Sequence, residues 1–201
     1  MGLLDTEITG AERQQGLAYY EAEASVTAFQ TKEADLFNEV LEVYNDVLTE
    51  DPAAARHVSI AARRLVQAAK EILRRREEIQ PIPQIACSMH WAWYITSTAY
   101  AAWAQATLSA MEALANGATP DYYVRHLVNE HETAWRKAQR NEKKFLKQLR
   151  IPAREIAQII ERCIKAAQVD HWQPDESSTS HNEDVASETT TQFCPSINLE
   201  K

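Results

Sequence analysis

The chain has 201 residues, enough for one domain with a real core plus appendages. Only four of them are glycine, which excludes a β-rich protein built on many tight hairpins, because such turns need positive φ. The formal net charge is −8, from 21 basic and 29 acidic residues, and taken whole it argues against non-specific binding to nucleic acid.

The charge is unevenly placed. Residues 1–51 carry 12 acids against 2 bases, and residues 170–201 carry 7 acids against 1 base. Between them, residues 52–80 are basic by 7 to 3 and residues 121–169 by 11 to 6, while residues 81–120 hold a single charge, Glu112. Cys87, Cys163 and Cys194 are scattered and form no CxxC, as expected of reduced thiols in a cytoplasmic or otherwise intracellular protein. No basic segment followed by an apolar run marks a secretory signal at the N-terminus.

Residues 1–9 read as a flexible N-terminus. Within them Met1-Gly2-Leu3-Leu4-Asp5-Thr6 fits the loose N-myristoylation pattern, a pattern short enough to match by accident, so modification of Gly2 stays open. Thr9-Gly10-Ala11-Glu12 has capping-box spacing and predicts a helix from about residue 10. Phe37, Val40, Leu41, Tyr44, Val47 and Leu48 make its apolar stripe; the helix either runs unbroken to about residue 49 or breaks near 25–32.

Asp51-Pro52 pairs an N-cap carboxylate with proline at the first helical position, so a second helix starts there. Val58, Ala62, Leu65, Ala69 and Ile72 form its inward stripe, and Pro81-Ile82-Pro83 ends it. The third helix has no Asp, Glu, Lys or Arg from Ile85 to Met111. Its His90, Gln105, alanines and many Ser and Thr make a poor membrane span, so no transmembrane segment is expected and the helix is predicted to lie buried at the centre of the fold. Asn116-Gly117 supplies its C-cap.

Thr119-Pro120-Asp121 opens a fourth helix to about Leu149, with Leu127, Ala134, Ala138, Phe145 and Leu149 as its core stripe. Ile151-Pro152 breaks it, and a fifth helix over about 153–169 is predicted to bury Ile156, Ile159, Ile160, Cys163 and Ile164. From Asp170 onward Ser, Thr, Asp, Glu and Asn dominate, and 170–201 reads as a disordered acidic tail. The expectation is therefore all-α: an antiparallel bundle of about five helices over 10–169, acidic helix one beside basic helices two and four, helix three in the middle.

Three side-chain groups could carry function. Trp93, Tyr100 and Trp103 share one face of helix three, with His90 and Tyr94 as a second i, i+4 pair; these five are the candidate ligand or interface residues, and core packing is the plainer account of them. Arg136, Lys137, Arg140, Lys143, Lys144, Lys147 and Arg150 make a cationic face that could meet phosphates, though no aromatic residue interleaves to stack bases and a self-paired or solvated face explains it as well. His126, Glu130 and His131 fall short of a metal set: there is no Glu-x-x-His and no HExxH. No GxGxxG, GxxxxGK[ST] or GxSxG is present either.

No catalytic residue, metal or cofactor is therefore assigned. The expected role is that of a non-enzymatic helical interaction or structural protein, partnered by another protein or by itself as a homo-oligomer, although catalytic groups on separate helices would leave no motif. The alternatives are a bundle that binds a small hydrophobic or aromatic ligand, and an accessory subunit that meets nucleic acid through the cationic face.

Overall fold

The computed structural model describes residues 10–79, 86–120, 122–146 and 151–175, the side chains of 12, 86–89, 122–124 and 142–146 excepted. Within them are five α-helices and a 3-10 turn, and no strand: α1 Gly10–Tyr44, the turn Asn45–Val47, α2 Pro52–Glu77, α3 Ala86–Ala115, α4 Tyr122–Leu146 and α5 Ala153–Val169. α1 runs unbroken for 35 residues, about 52 Å at 1.5 Å per residue. The signals at its far end act as read: the Asp51 carboxylate accepts from Ala53 N–H at 2.8 Å, and Pro52 opens α2.

Gly117 ends α3 at φ 72°, where a side chain would be strained. Ala118 N–H reaches Ala113 C=O and Gly117 N–H reaches Leu114 C=O, both at 2.9 Å, closing the helix as a Schellman motif.

Consecutive helices α1 to α4 pack as antiparallel neighbours, α1 on α2, α2 on α3 and α3 on α4. α5 packs on the outside of α1 and runs parallel to it, since Arg13 pairs with Glu155 and Arg162, further along α5, pairs with Glu21 further along α1. α1 and α4 share no packed seam. The core is aromatic at both ends. At one end Phe37 meets Trp103 edge-on at 6.0 Å, Trp103 stacks on Trp135 of the next helix at 4.9 Å, and Tyr100 meets Trp135 edge-on at 5.0 Å. At the other, Trp93 lies 5.8 Å from Tyr19 and 6.4 Å from Tyr20, in a cluster with Ile159 and Cys163 of α5. Val58, Ala62, Leu65 and Ile72 fill the middle along the stripe expected for α2.

Four expectations are corrected. α3 is not central: it is a corner helix between α2 and α4, and Trp91, Tyr94 and Ile95 are exposed on its outer side. A charge-free face can meet water when its hydroxyls fold back on the helix, as Thr98 does to Tyr94 C=O and Ser109 to Gln105 C=O. On α4 Trp135 is buried beside the expected Ala138, while Ala134 is exposed; Phe145 and Leu149 lie outside the described side chains. On α5 Ile159, Cys163 and Ala167 face α1, and Ile160 and Ile164 do not pack into the core. The acidic α1 lies beside α2 as expected but not beside α4.

The expected tail boundary at Asp170 also moves. Asp170–Asp175 lie across α1 and α2: Asp170 pairs with Arg75 at 2.9 Å, Gln67 donates to Asp175 C=O, and the Trp172 ring meets Phe29 edge-on at 5.5 Å with the Arg64 guanidinium over it. One tryptophan in a polar stretch supplies the burial that composition alone would deny. Residues 176–201 and 1–9 lie outside the described residues, with the myristoylation pattern, the Thr9 capping signal, Cys194 and the rest of the acidic tail.

Two measurements check this account. Trp172→Ala is expected to lower stability by about 2 kcal/mol in urea unfolding, the size of a partly buried aromatic side chain; a shift within error would show that the segment after α5 is not docked. Glu71 is held by Arg74 and Arg75, which lower its carboxyl from 4.5 to about 2, against a smaller opposing effect of burial. A pKa lowered on folding contributes stability that is present above 4.5 and lost as pH falls towards 2. Urea midpoints between pH 5 and pH 2 should therefore fall less steeply for Glu71→Gln than for the parent chain.

Candidate binding groove

The missing seam between α1 and α4 leaves a groove of about 840 Å³. α1 lines it with Tyr20, Ala24, Ala28, Thr31, Asp35 and Glu39, successive members of one edge at i+3 and i+4 spacing, joined by Thr27, Lys32 and Leu36. Ala24 and Ala28 are small, so the helix backbone lies close to the open space. α5 adds Ile160, Ile164, Ala167 and Gln168; α4 adds Arg136, Gln139 and Arg140; and Trp93 of α3 reaches the floor. Ile160 and Ile164 are 40% and 46% exposed, unusual for two neighbouring isoleucines on one helix edge.

The floor is built on buried charge. Glu23 of α1 and Arg76 of α2 are 0% and 1% exposed, with Nε 3.4 Å from Oε2. Tyr19 O–H donates to Glu23 Oε1 at 3.4 Å, and His90 Nδ1 lies 3.4 Å from that Oε1. Arg76 also donates to Trp93 C=O and to Thr27 Oγ1, so the guanidinium ties α2 both to α1 and to the tryptophan under the groove. Ten residues along α1, Glu33 is held by a two-pronged hydrogen bond from Arg64 at 2.8 and 3.1 Å. Burial, with the Glu33 and Asp35 carboxylates nearby, pushes the Tyr100 phenol well above its ordinary range, so it stays neutral.

The residues singled out in the sequence separate. Tyr100 and Trp103 are core, packed on Trp135 and Phe37, and Trp93 forms the groove floor. His90 is partly buried against Glu23, whereas Tyr94 points outward and stacks on Trp91 at 5.7 Å, so the i, i+4 pair does not act together. Of the cationic face, Arg136 and Arg140 line the groove and Lys137 is exposed away from it. The Lys143 and Lys144 side chains, and Lys147 and Arg150, lie outside the described residues. His126 and Glu130 stay on the surface 3.8 Å apart, and among the described residues no three His, Cys, Asp or Glu side chains gather for a metal. No described helix is long and apolar enough to cross a membrane.

Fold and groove together define an all-α bundle with one open side. No protein-family model matches the chain, and neither the curated proteins nor the solved structures contain a detectable relative.

The buried pair gives a test of the floor. Glu23→Ala leaves a guanidinium in the core without its carboxylate and is expected to cost about 3–5 kcal/mol in chemical unfolding. The double change Glu23→Leu with Arg76→Met should recover most of that loss, because it removes both desolvated charges. A double variant no more stable than Glu23→Ala would show that the pair does not couple.

Proposed function

We propose that this protein is a non-enzymatic interaction protein whose open side, between α1, α4 and α5, receives an amphipathic helix of a protein partner. The observation that carries the reading is the unfilled seam itself. A four-helix arrangement normally closes α4 on α1, and here the position has an apolar floor, exposed isoleucines and charged walls instead. Those are the features of a helix-in-groove site, in which an apolar stripe docks and flanking charges set its register. α1 offers about 28 Å of edge from Tyr20 to Glu39, the length of roughly five helical turns.

A second reading keeps the groove and changes its occupant to a small hydrophobic or aromatic ligand, favoured by a volume within the range of small-molecule sites. The nucleic-acid reading has less support, because Arg136 and Arg140 share the groove with Asp35 and Glu39 and do not form an isolated cationic surface.

Exchanging the exposed isoleucines tests the proposal without touching the core. The Ile160→Asp, Ile164→Asp double variant should keep its helical circular dichroism. Proteins retained from a host-cell lysate by the immobilised parent chain should drop about tenfold or more on the variant, since apolar anchors dominate such contacts. Equal retention by both chains overturns the groove as the binding surface. A bound small molecule seen in the intact native mass of the parent, and lost from the variant, would move the conclusion to the ligand reading.

A further inference from the structure

The two walls of the groove carry opposite charge. Asp35 and Glu39 stand on the α1 wall, and Arg136 and Arg140 on the α4 wall. They lie at one height of the bundle, because Phe37 meets Trp103 edge-on and Trp103 stacks on Trp135. Among the described residues no ion pair crosses the groove: Arg136 turns back to Glu132 of its own helix, and Arg140 donates to Arg136 C=O. Lys32 of the α1 wall is engaged with Asp170 C=O, so the charges left to face the groove at this height are two acids and two bases, sorted to opposite sides of an apolar strip.

Such a surface is complementary to itself. Resting on the reading of the groove as a protein-binding face, we infer that its partner is a second copy of this chain, whose own groove walls meet these in place of a single inserted helix. A two-fold axis running along the groove, parallel to the helices, keeps each residue's height and exchanges the two walls. Asp35 and Glu39 of one copy then meet Arg136 and Arg140 of the other, and the contact occurs twice. This is the self-matching that a closed two-fold interface demands. It also covers Ile160 and Ile164, which line the same groove. Like-charged surfaces do not meet, although each chain carries a net charge of −8.

The test is charge reversal with exchange, read by light scattering on the eluted full-length chain. The parent is expected to be a dimer that weakens with salt. Asp35→Lys with Glu39→Lys makes both walls basic, and Arg136→Glu with Arg140→Glu makes both acidic. Each variant alone should dissociate at least about tenfold more readily than the parent, from like charges facing across the interface. An equimolar mixture of the two should recover the dimer, because each basic wall then finds an acidic one. All four side chains line an open groove, so helicity should be unchanged, and circular dichroism checks that; Asp35→Asn with Glu39→Gln is the milder variant if reversal disturbs folding. A parent that stays monomeric overturns the inference and leaves the groove to a different protein, which the isoleucine variant tests separately. A dimer untouched by either reversal, or two monomeric variants that fail to pair when mixed, overturns it as well.

Discussion

Glu23 sits inside the bundle with none of its surface exposed, and its charge is tolerable only while the Arg76 guanidinium stays beside it. With Glu33 and Arg64 it forms a pair of bolts between α1 and α2. They lie ten residues apart on α1 and twelve apart on α2, about 15 to 18 Å along the helices. A slide of one helical turn would part both carboxylates from their arginines and leave desolvated charges, so the antiparallel register has one low-energy setting. Apolar side chains between the bolts, such as Leu65, Ile72 and Phe29, would fit several neighbouring registers nearly as well. Arg76 then passes the constraint to α3 through Trp93 C=O, and Trp172 spreads over Arg64 from the other side.

The open seam follows from how the remaining helices are held. α4 is fixed to α3 by Trp135, wedged against Trp103 and Tyr100, with Ala138 buried one turn further along. α5 is fixed to α1 by Ile159, Cys163 and Ala167, with Arg13–Glu155 and Arg162–Glu21 as pairs at the rim. Each helix has used its apolar stripe on one neighbour. Among the described side chains neither closes the gap between α4 and α1, and Ile160, Ile164 and Leu36 border it.

Helix positions were legible because local chemistry sets them. Asp51-Pro52, Asn116-Gly117 and Pro152 punctuate the chain where the structure does, and the i, i+3, i+4 stripe of α2 is the stripe that is buried. Which helix lies at the centre was not legible, because a charge-free sequence on α3 can mean burial or merely hydroxyls bonded to their own backbone. The groove was hidden for a related reason. Periodicity counts Ile156, Ile159, Ile160, Cys163 and Ile164 as one apolar face, yet a helix resting on a single neighbour covers only the middle of such a face. A signal for the floor did exist: Glu23 lies on the same edge as Tyr19, Thr27 and Gln30, and a carboxylate on an inward edge demands a buried cation. Finding Arg76 as that cation needed the fold, since three arginines in a row offer three directions.

The uneven charge of the sequence suggested that an acidic first helix would neutralise basic helices two and four. Half of that arrangement exists. Glu23 and Glu33 are taken by α2, and Glu21 by Arg162 of α5, so the inner and outer flanks of α1 are matched within the chain. Asp35 and Glu39 lie on the remaining edge, beyond the point where α5 ends at Val169, and they face a wall that stands too far away to pair. The bases meant for them, Arg136 and Arg140, fall back on Glu132 and on a backbone carbonyl. Surface pairs within one helix contribute little, because water screens them and the side chains lose freedom in making them. Both walls can therefore give up their present arrangement at small cost when a surface of the right charge arrives, which an acid locked into the core, as Glu23 is, could not do.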